Sequence, residues 1–168
     1  MKRESKLLLA AAILSLIPLS ADAGMTFPGR CHMGSCAFYS LEDWDIVGSN
    51  PKGSLMKVTT RTWQSTSPNG RRSGGKADVR YLFCSKSAPS IVYNDKDQGG
   101  WVASALSPSS PAGYSYDATL MYFAACHGVI VKSDDDFDTY ARKFGYKETD
   151  GALPDDIKLG VPEDLLKR

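Results

Sequence analysis

CAFYSLEDWDIVGSNPKGSLMKVTTRTWQ, residues 36–64, decides how the rest of this chain is read. In its second half, Leu55 to Gln64, Met56 and Val58 share a face with Thr60 and Thr62, while Lys57 and Arg61 share the other with Trp63. A period of two with one greasy face predicts a half-buried strand. The first half, Cys36 to Val47, is rich in aromatic and branched residues and predicts a second strand. Its parity slips, however. Tyr39 and Leu41 fall on one phase, Trp44 and Ile46 on the other, so a bulge or bend is expected near Glu42 and Asp43. Gly48 to Gly53 is a strong turn, and the two strands form a hairpin.

Outward from that hairpin the pattern stays short and strand-like. Gly24 to Gly34 lacks a period and reads as an extended lead-in. Ser65 to Lys76 reads as a flexible loop by composition. Val79 to Ser85 is apolar on both faces, as a central strand would be. Ser90 to Tyr93 and Trp101 to Leu106 are two further strands, separated by a turn at Asn94 to Gly100. After a loop at Ser107 to Gly113 the period changes. Tyr116, Leu120 and Phe123 share a helical face, and Tyr114 to His127 is predicted as a helix stopped by Gly128. Gly128 to Lys132 (GVIVK) suggests a short strand. Ser133 to Phe144 predicts a second helix, with Ser133 as N-cap, Asp134 to Asp136 in the first turn, and Phe137, Tyr140, Ala141 and Phe144 as its apolar stripe. The remainder, Tyr146 to Arg168, is a polar tail with a last helical turn at Pro162 to Lys167. Strands first and helices later predict an α+β fold: an antiparallel sheet of about five strands, then two helices packed on one face. The division is 1–23, a signal peptide; 24–145, one domain; 146–168, the tail.

The first 23 of the 168 residues carry the signal features. Lys2, Arg3 and Lys6 precede an apolar run from Leu7 to Leu19, and Ala21-Asp22-Ala23 fits a small-x-small cleavage pattern. The run is shorter than the ~20 residues that cross a bilayer. Cleavage before Gly24 is therefore expected, which leaves no transmembrane segment in the mature chain and places it in the periplasm or outside the cell. The mature chain has 17 basic and 17 acidic residues, unevenly spread: Gly24 to Ser133 carries a net +4 and Asp134 to Arg168 a net −4. A neutral chain lacks the signature of a general nucleic-acid binder.

All four cysteines, Cys31, Cys36, Cys84 and Cys126, lie in the mature part, and an even count in an exported chain predicts disulfides. Three pairings are possible, of which Cys31–Cys36 and Cys84–Cys126 are favoured: a short clip, and a tie from the central strand to the first helix. The two histidines each follow a cysteine, at Cys31-His32 and Cys126-His127. Those pairs, with Met33, leave open a small secreted enzyme or metal-handling protein. Their spacing matches no zinc-finger, haem-attachment or thioredoxin pattern, so neither metal nor cofactor is expected.

Other chemistry is thin. There is no G-x-S-x-G elbow, and neighbouring residues such as Cys126 and His127 diverge by about 100° on a helix. Glu42, Asp43 and Asp45 read as a solvated bend, and Asp134, Asp136 and Asp138 lack the Gly and Glu that complete a calcium loop. No catalytic residue is assigned. The most suggestive segment is the loop Ser67 to Lys76, where Arg71, Arg72 and Lys76 stand among glycines beside Trp63. Basic loops on a rigid scaffold bind anions or acidic partners, and Trp and Arg dominate binding hot spots. Arg71, Arg72, Lys76 and Trp63 are thus the expected binding residues.

In size, export signal and cysteine count the chain is similar in type to the small exported two-disulfide bacterial proteins that inhibit envelope enzymes, lysozyme inhibitors among them. The similarity implies a non-catalytic binding protein, an inhibitor or immunity-type module, acting on another exported or envelope protein. A structural component of an envelope assembly is the other alternative.

Overall fold

The structure, a computed structural model, describes residues 24–113, 115–147 and 156–168. The expected signal peptide, residues 1–23, lies outside the described residues, as do Tyr114 of the expected first helix and residues 148–155 of the expected tail. Seven strands form one antiparallel sheet in sequence order: β1 (Met25–His32), β2 (Ser35–Asn50), β3 (Gly53–Ser65), β4 (Ser73–Ser85), β5 (Ser90–Asp95), β6 (Gly100–Ala105) and β7 (Ile157–Leu159). Two helices, α1 (Ser115–His127) and α2 (Asp134–Phe144), stand between β6 and β7, and a 3-10 helix, Pro162–Lys167, ends the chain.

The α+β reading holds, with two strands more than the sequence suggests. The lead-in is a strand, β1, paired with β2 from Met25 opposite Leu41 to His32 opposite Ser35. Ile157–Leu159 returns to the sheet beside β6. Gly128 to Lys132 is not a strand but the link between the helices, with Val131 buried. The parity slip in β2 is real: the register shifts between Leu41 and Asp43. The hairpin turn is built by Asn50, whose Oδ1 accepts from the backbone N–H groups of Lys52 (2.9 Å) and Gly53 (3.1 Å).

The sheet has two apolar faces, which is why the central strands are apolar on both sides. On one, Leu41, Met56, Val58, Leu82 and Ile91 meet Leu120, Met121, Phe123 and Ala124 of α1. On the other, Leu55, Phe83, Val92, Ala103 and Leu159 pack with Leu165 of the 3-10 helix. Residues 118–124 of α1 are all buried. A helix buried all round must be covered on its outer side too, and α2 does this: the Phe137 ring lies 6.1 Å from that of Phe123, tilted by 50°. The carboxylate of Asp136 caps α2 by accepting from the backbone of Lys132 and Ser133.

Both disulfides form in the favoured pairing, Cys31–Cys36 and Cys84–Cys126. The second fastens α1 to β4. None of the helices among the described residues is long and apolar enough to cross a membrane.

Candidate functional site

Two hairpin tips meet at one end of the sheet. Cys36 of β2 is opposite Ser65 of β3, so the β1–β2 turn and the β3–β4 connection, residues 66–72, share that end. The β1–β2 turn has only Met33 and Gly34 at its centre, with φ of 48° and 75°. Two positive φ values in a two-residue loop define the hairpin turn whose twist suits β-strands. Gly34 adopts its value freely. Met33 does not, since a Cβ in the left-handed region costs about 1–2 kcal/mol. Met33 is also 91% exposed. The Cys31–Cys36 disulfide clips the strands directly beneath it. A strained, exposed, apolar residue on a covalently clipped tip gains nothing for folding, and such strain clusters at functional sites.

The expected binding residues lie around this end. Arg71 and Arg72 are exposed in the β3–β4 connection. The Arg72 guanidinium sits 4.0 Å from the centre of the Phe38 ring, which anchors the connection to β2. Phe38 is opposite Trp63, which is half-buried rather than free. A Cβ at Gly75 (φ 93°) would come within 2.8 Å of the Trp63 indole nitrogen, so only glycine admits that ring. Lys76 is not in a loop: β4 begins at Ser73, and Lys76 lies exposed in the strand, opposite Thr62. The glycines that suggested flexibility instead let β4 pass Trp63.

Arg30 joins the group from β1; its backbone N–H donates to Asp117 Oδ1 (2.8 Å) and its side chain to the Gly113 carbonyl (3.4 Å). Among the described residues, the ion pairs are Arg61–Glu42, Arg80–Asp78, Arg142–Asp138 and Lys167–Asp164. Arg30, Arg71, Arg72 and Lys76 belong to none of them. Sequence reasoning weighed Met33 only as a sulfur ligand and passed over Arg30. The turn at Met33 follows from the strand ends at His32 and Ser35, which the sequence does not mark. Replacing Met33 by Asn, which tolerates that conformation, should raise stability by about 0.5–1 kcal/mol, measured as a higher urea midpoint at unchanged slope.

The histidines are far from equivalent. His32 is exposed beside Met33. His127 stacks on Phe144 at 4.0 Å and 12°. It ends a chain of hydroxyls: His127 Nε2 to Tyr146 Oη is 2.6 Å, and Tyr146 Oη to Tyr122 Oη is 2.8 Å. Tyr122 Oη also lies 3.0 Å from both the backbone nitrogen and the carbonyl of Ser85. The protons can be counted. Ser85 N–H donates to Tyr122, Tyr122 donates to the Ser85 carbonyl, and Tyr146 must donate to Tyr122. His127 Nε2–H then donates to Tyr146, which satisfies every contact. Burial first, and Lys86 second, push the His127 pKa below its usual value. Burial pushes the Tyr122 and Tyr146 hydroxyls up. This network holds β4 to α1, and the neighbouring Cys126 sulfur is joined to Cys84 and offers no thiolate.

A depressed His127 pKa binds fewer protons folded than unfolded. Its contribution is present above about pH 6.5, the unfolded value, and is lost as pH falls through the folded value. Unfolding free energy measured from pH 8 to 5 should therefore fall on the acid side. The slope should flatten in His127→Gln, whatever that variant's absolute stability; an unchanged slope would assign the loss to other groups.

A cavity of about 420 Å³ opens between α1 and β4–β6, with Tyr39, Arg80, Tyr93, Leu106 and Asp117 among its walls. Several of its polar groups pair with one another. Tyr39 donates to Asp117 Oδ2 at 2.7 Å, Arg80 Nε to Asp78 at 3.0 Å and Ser104 to Tyr93 at 3.4 Å. Burial, then the bond to Asp117, raises the Tyr39 pKa. The arrangement braces β2 against α1. No three or more His, Cys, Asp or Glu residues come together in a metal-binding arrangement among the described residues.

Comparison with protein-family models, curated proteins and solved structures finds no match for the chain.

Proposed function

We propose that this protein is an exported, non-catalytic binding protein of the inhibitor or immunity type, and that it docks its hairpin end onto an acidic surface of another exported protein. The observation that carries the reading is Met33: strained, 91% exposed, and placed on a disulfide-clipped tip. Met33 supplies the apolar knob. Arg30, Arg71, Arg72 and Lys76 add positive charge toward the same end of the sheet, which steers encounter and selects an acidic partner. Trp63 and Phe38 hold the Arg72 side of the site in place. Two disulfides and a sheet covered on both faces keep the end rigid, so little ordering entropy is lost on binding. Export rests on the signal features of residues 1–23 together with the disulfides.

The test is capture of a partner from the native exported fraction by the immobilised mature protein. Capture should be lost with Arg71→Glu/Arg72→Glu and with Met33→Asp, and kept with Lys52→Glu at the opposite end of the sheet. Equal capture by all four proteins would remove the hairpin end from the account.

A further inference from the structure

β2 is longer than the strand beside it. Pairing with β1 begins at Met25 opposite Leu41, while β2 runs on to Asn50. From Gly48 the 3-10 helix takes over: a Cβ on Gly48 would meet Leu166, and Asn50 Nδ2 donates to the Leu166 carbonyl at 2.9 Å. Between them the outer side of Asp43 to Val47 has no strand against it among the described residues. Among the described residues, three of the six exposed large hydrophobic residues fall in these five positions: Trp44 (39%), Ile46 (65%) and Val47 (38%).

The edge lies between two register shifts, at Leu41/Asp43 and at Ile46/Gly48, and the first sorts it by face. Trp44 and Ile46 are opposite Val58 and Met56, on the helix-bearing side. Asp43 and Asp45 are opposite Thr59 and Lys57, on the other. Glu42 is already paired with Arg61. Asp43 and Asp45 form no ion pair among the described residues, although Lys57 lies across from Asp45. The other edges are guarded. β1 has Pro28, which offers no N–H, and a register shift, with the Arg30 N–H bound to Asp117; β7 is three residues long.

We propose that Asp43 to Val47 is a strand-docking edge for an extended basic segment of a partner protein, its cations alternating with apolar side chains. A strand added here repeats the alternation of the edge. Its apolar residues lie beside Trp44 and Ile46, and its cations beside Asp43 and Asp45. A second copy of this chain fits poorly, because a two-fold pairing centred on Asp45 sets that carboxylate against itself. The site is separate from the hairpin end and does not depend on it.

The probe is a blocked, fluorescent (Lys-Val)4 peptide titrated onto the mature, disulfide-intact protein, followed by hydrogen exchange of the complex. Binding with slowed exchange confined to the segment around residues 42–48 is expected. Affinity should fall about tenfold in Asp43→Lys/Asp45→Lys, the equivalent of about 1.4 kcal/mol, and comparably in Trp44→Ser/Ile46→Ser. A (Lys-Ser)4 peptide, with the charge but not the apolar face, should bind much more weakly. The proposal is overturned by no binding at about 1 mM peptide, by equal binding of (Glu-Val)4, or by protection elsewhere, such as the acidic start of α2. Sedimentation showing a dimer that Trp44→Ser/Ile46→Ser dissociates would overturn it in favour of a second copy.

Discussion

Replacing Cys84 and Cys126 together by alanine is expected to lower the unfolding free energy by about 4 kcal/mol. The bond closes a loop with a sequence separation of 42 between β4 and α1, and the entropy it removes from the unfolded chain grows with that length. For a domain with a typical stability of about 5–15 kcal/mol this is a large share. The short Cys31–Cys36 clip, with a separation of 5, should give only about 2 kcal/mol by the same argument. Urea unfolding of the two double variants separates them. A larger loss from the short clip would mean that the hairpin tip, and not the tie from helix to sheet, supports the fold.

Tyr122→Phe is expected to cost about 3 kcal/mol. Tyr122 is fully buried, and its hydroxyl contacts both backbone groups of Ser85 and the hydroxyl of Tyr146. Phenylalanine keeps the ring and opens no cavity, so the loss reports hydrogen bonding rather than packing. The reason for the size is the asymmetry of buried polar groups: removing one partner leaves the others unsatisfied, at about 1–3 kcal/mol each. The pH slope assigned to His127 should change with it, since His127 donates to Tyr146 at the end of the same chain. A cost under about 0.5 kcal/mol, the range of ordinary surface substitutions, would show that water replaces the hydroxyl and that the network is not sealed.

Much of this fold is written in local pattern. The β2–β3 hairpin, the bulge after Leu41 and both helices follow from parity and turn chemistry, while the cysteine count predicts disulfides but leaves three pairings, of which the favoured one forms. What was hidden depends on neighbours. β1, with Pro28 and Gly29, has no alternation to detect, because an edge strand at a bulge is not required to present one clean face. β7 is three residues in a polar stretch, and only its pairing with β6, which sets Leu159 opposite Trp101, makes it a strand. GVIVK carries strand propensity, yet it lies between two helices with no edge to join. Propensity yields to such context. At the site, Arg71 and Arg72 were legible as exposed charge. Lys76 was assigned to the wrong element because Gly74 and Gly75 read as a loop. Met33 was visible only once the two-residue turn fixed its backbone.

The proposed binding role turns on the hairpin end. The most direct measurement is the affinity of the captured partner for wild type, Arg71→Glu/Arg72→Glu, Met33→Asp and Lys52→Glu, each at low and high salt. The two arginine reversals are expected to weaken binding by at least about tenfold, or 1.4 kcal/mol, mostly through slower association and with a flatter salt dependence. Met33→Asp should raise the dissociation rate, and Lys52→Glu should change neither. Affinities that agree across all four proteins would contradict the proposed role, and would move the binding surface away from the clipped tip.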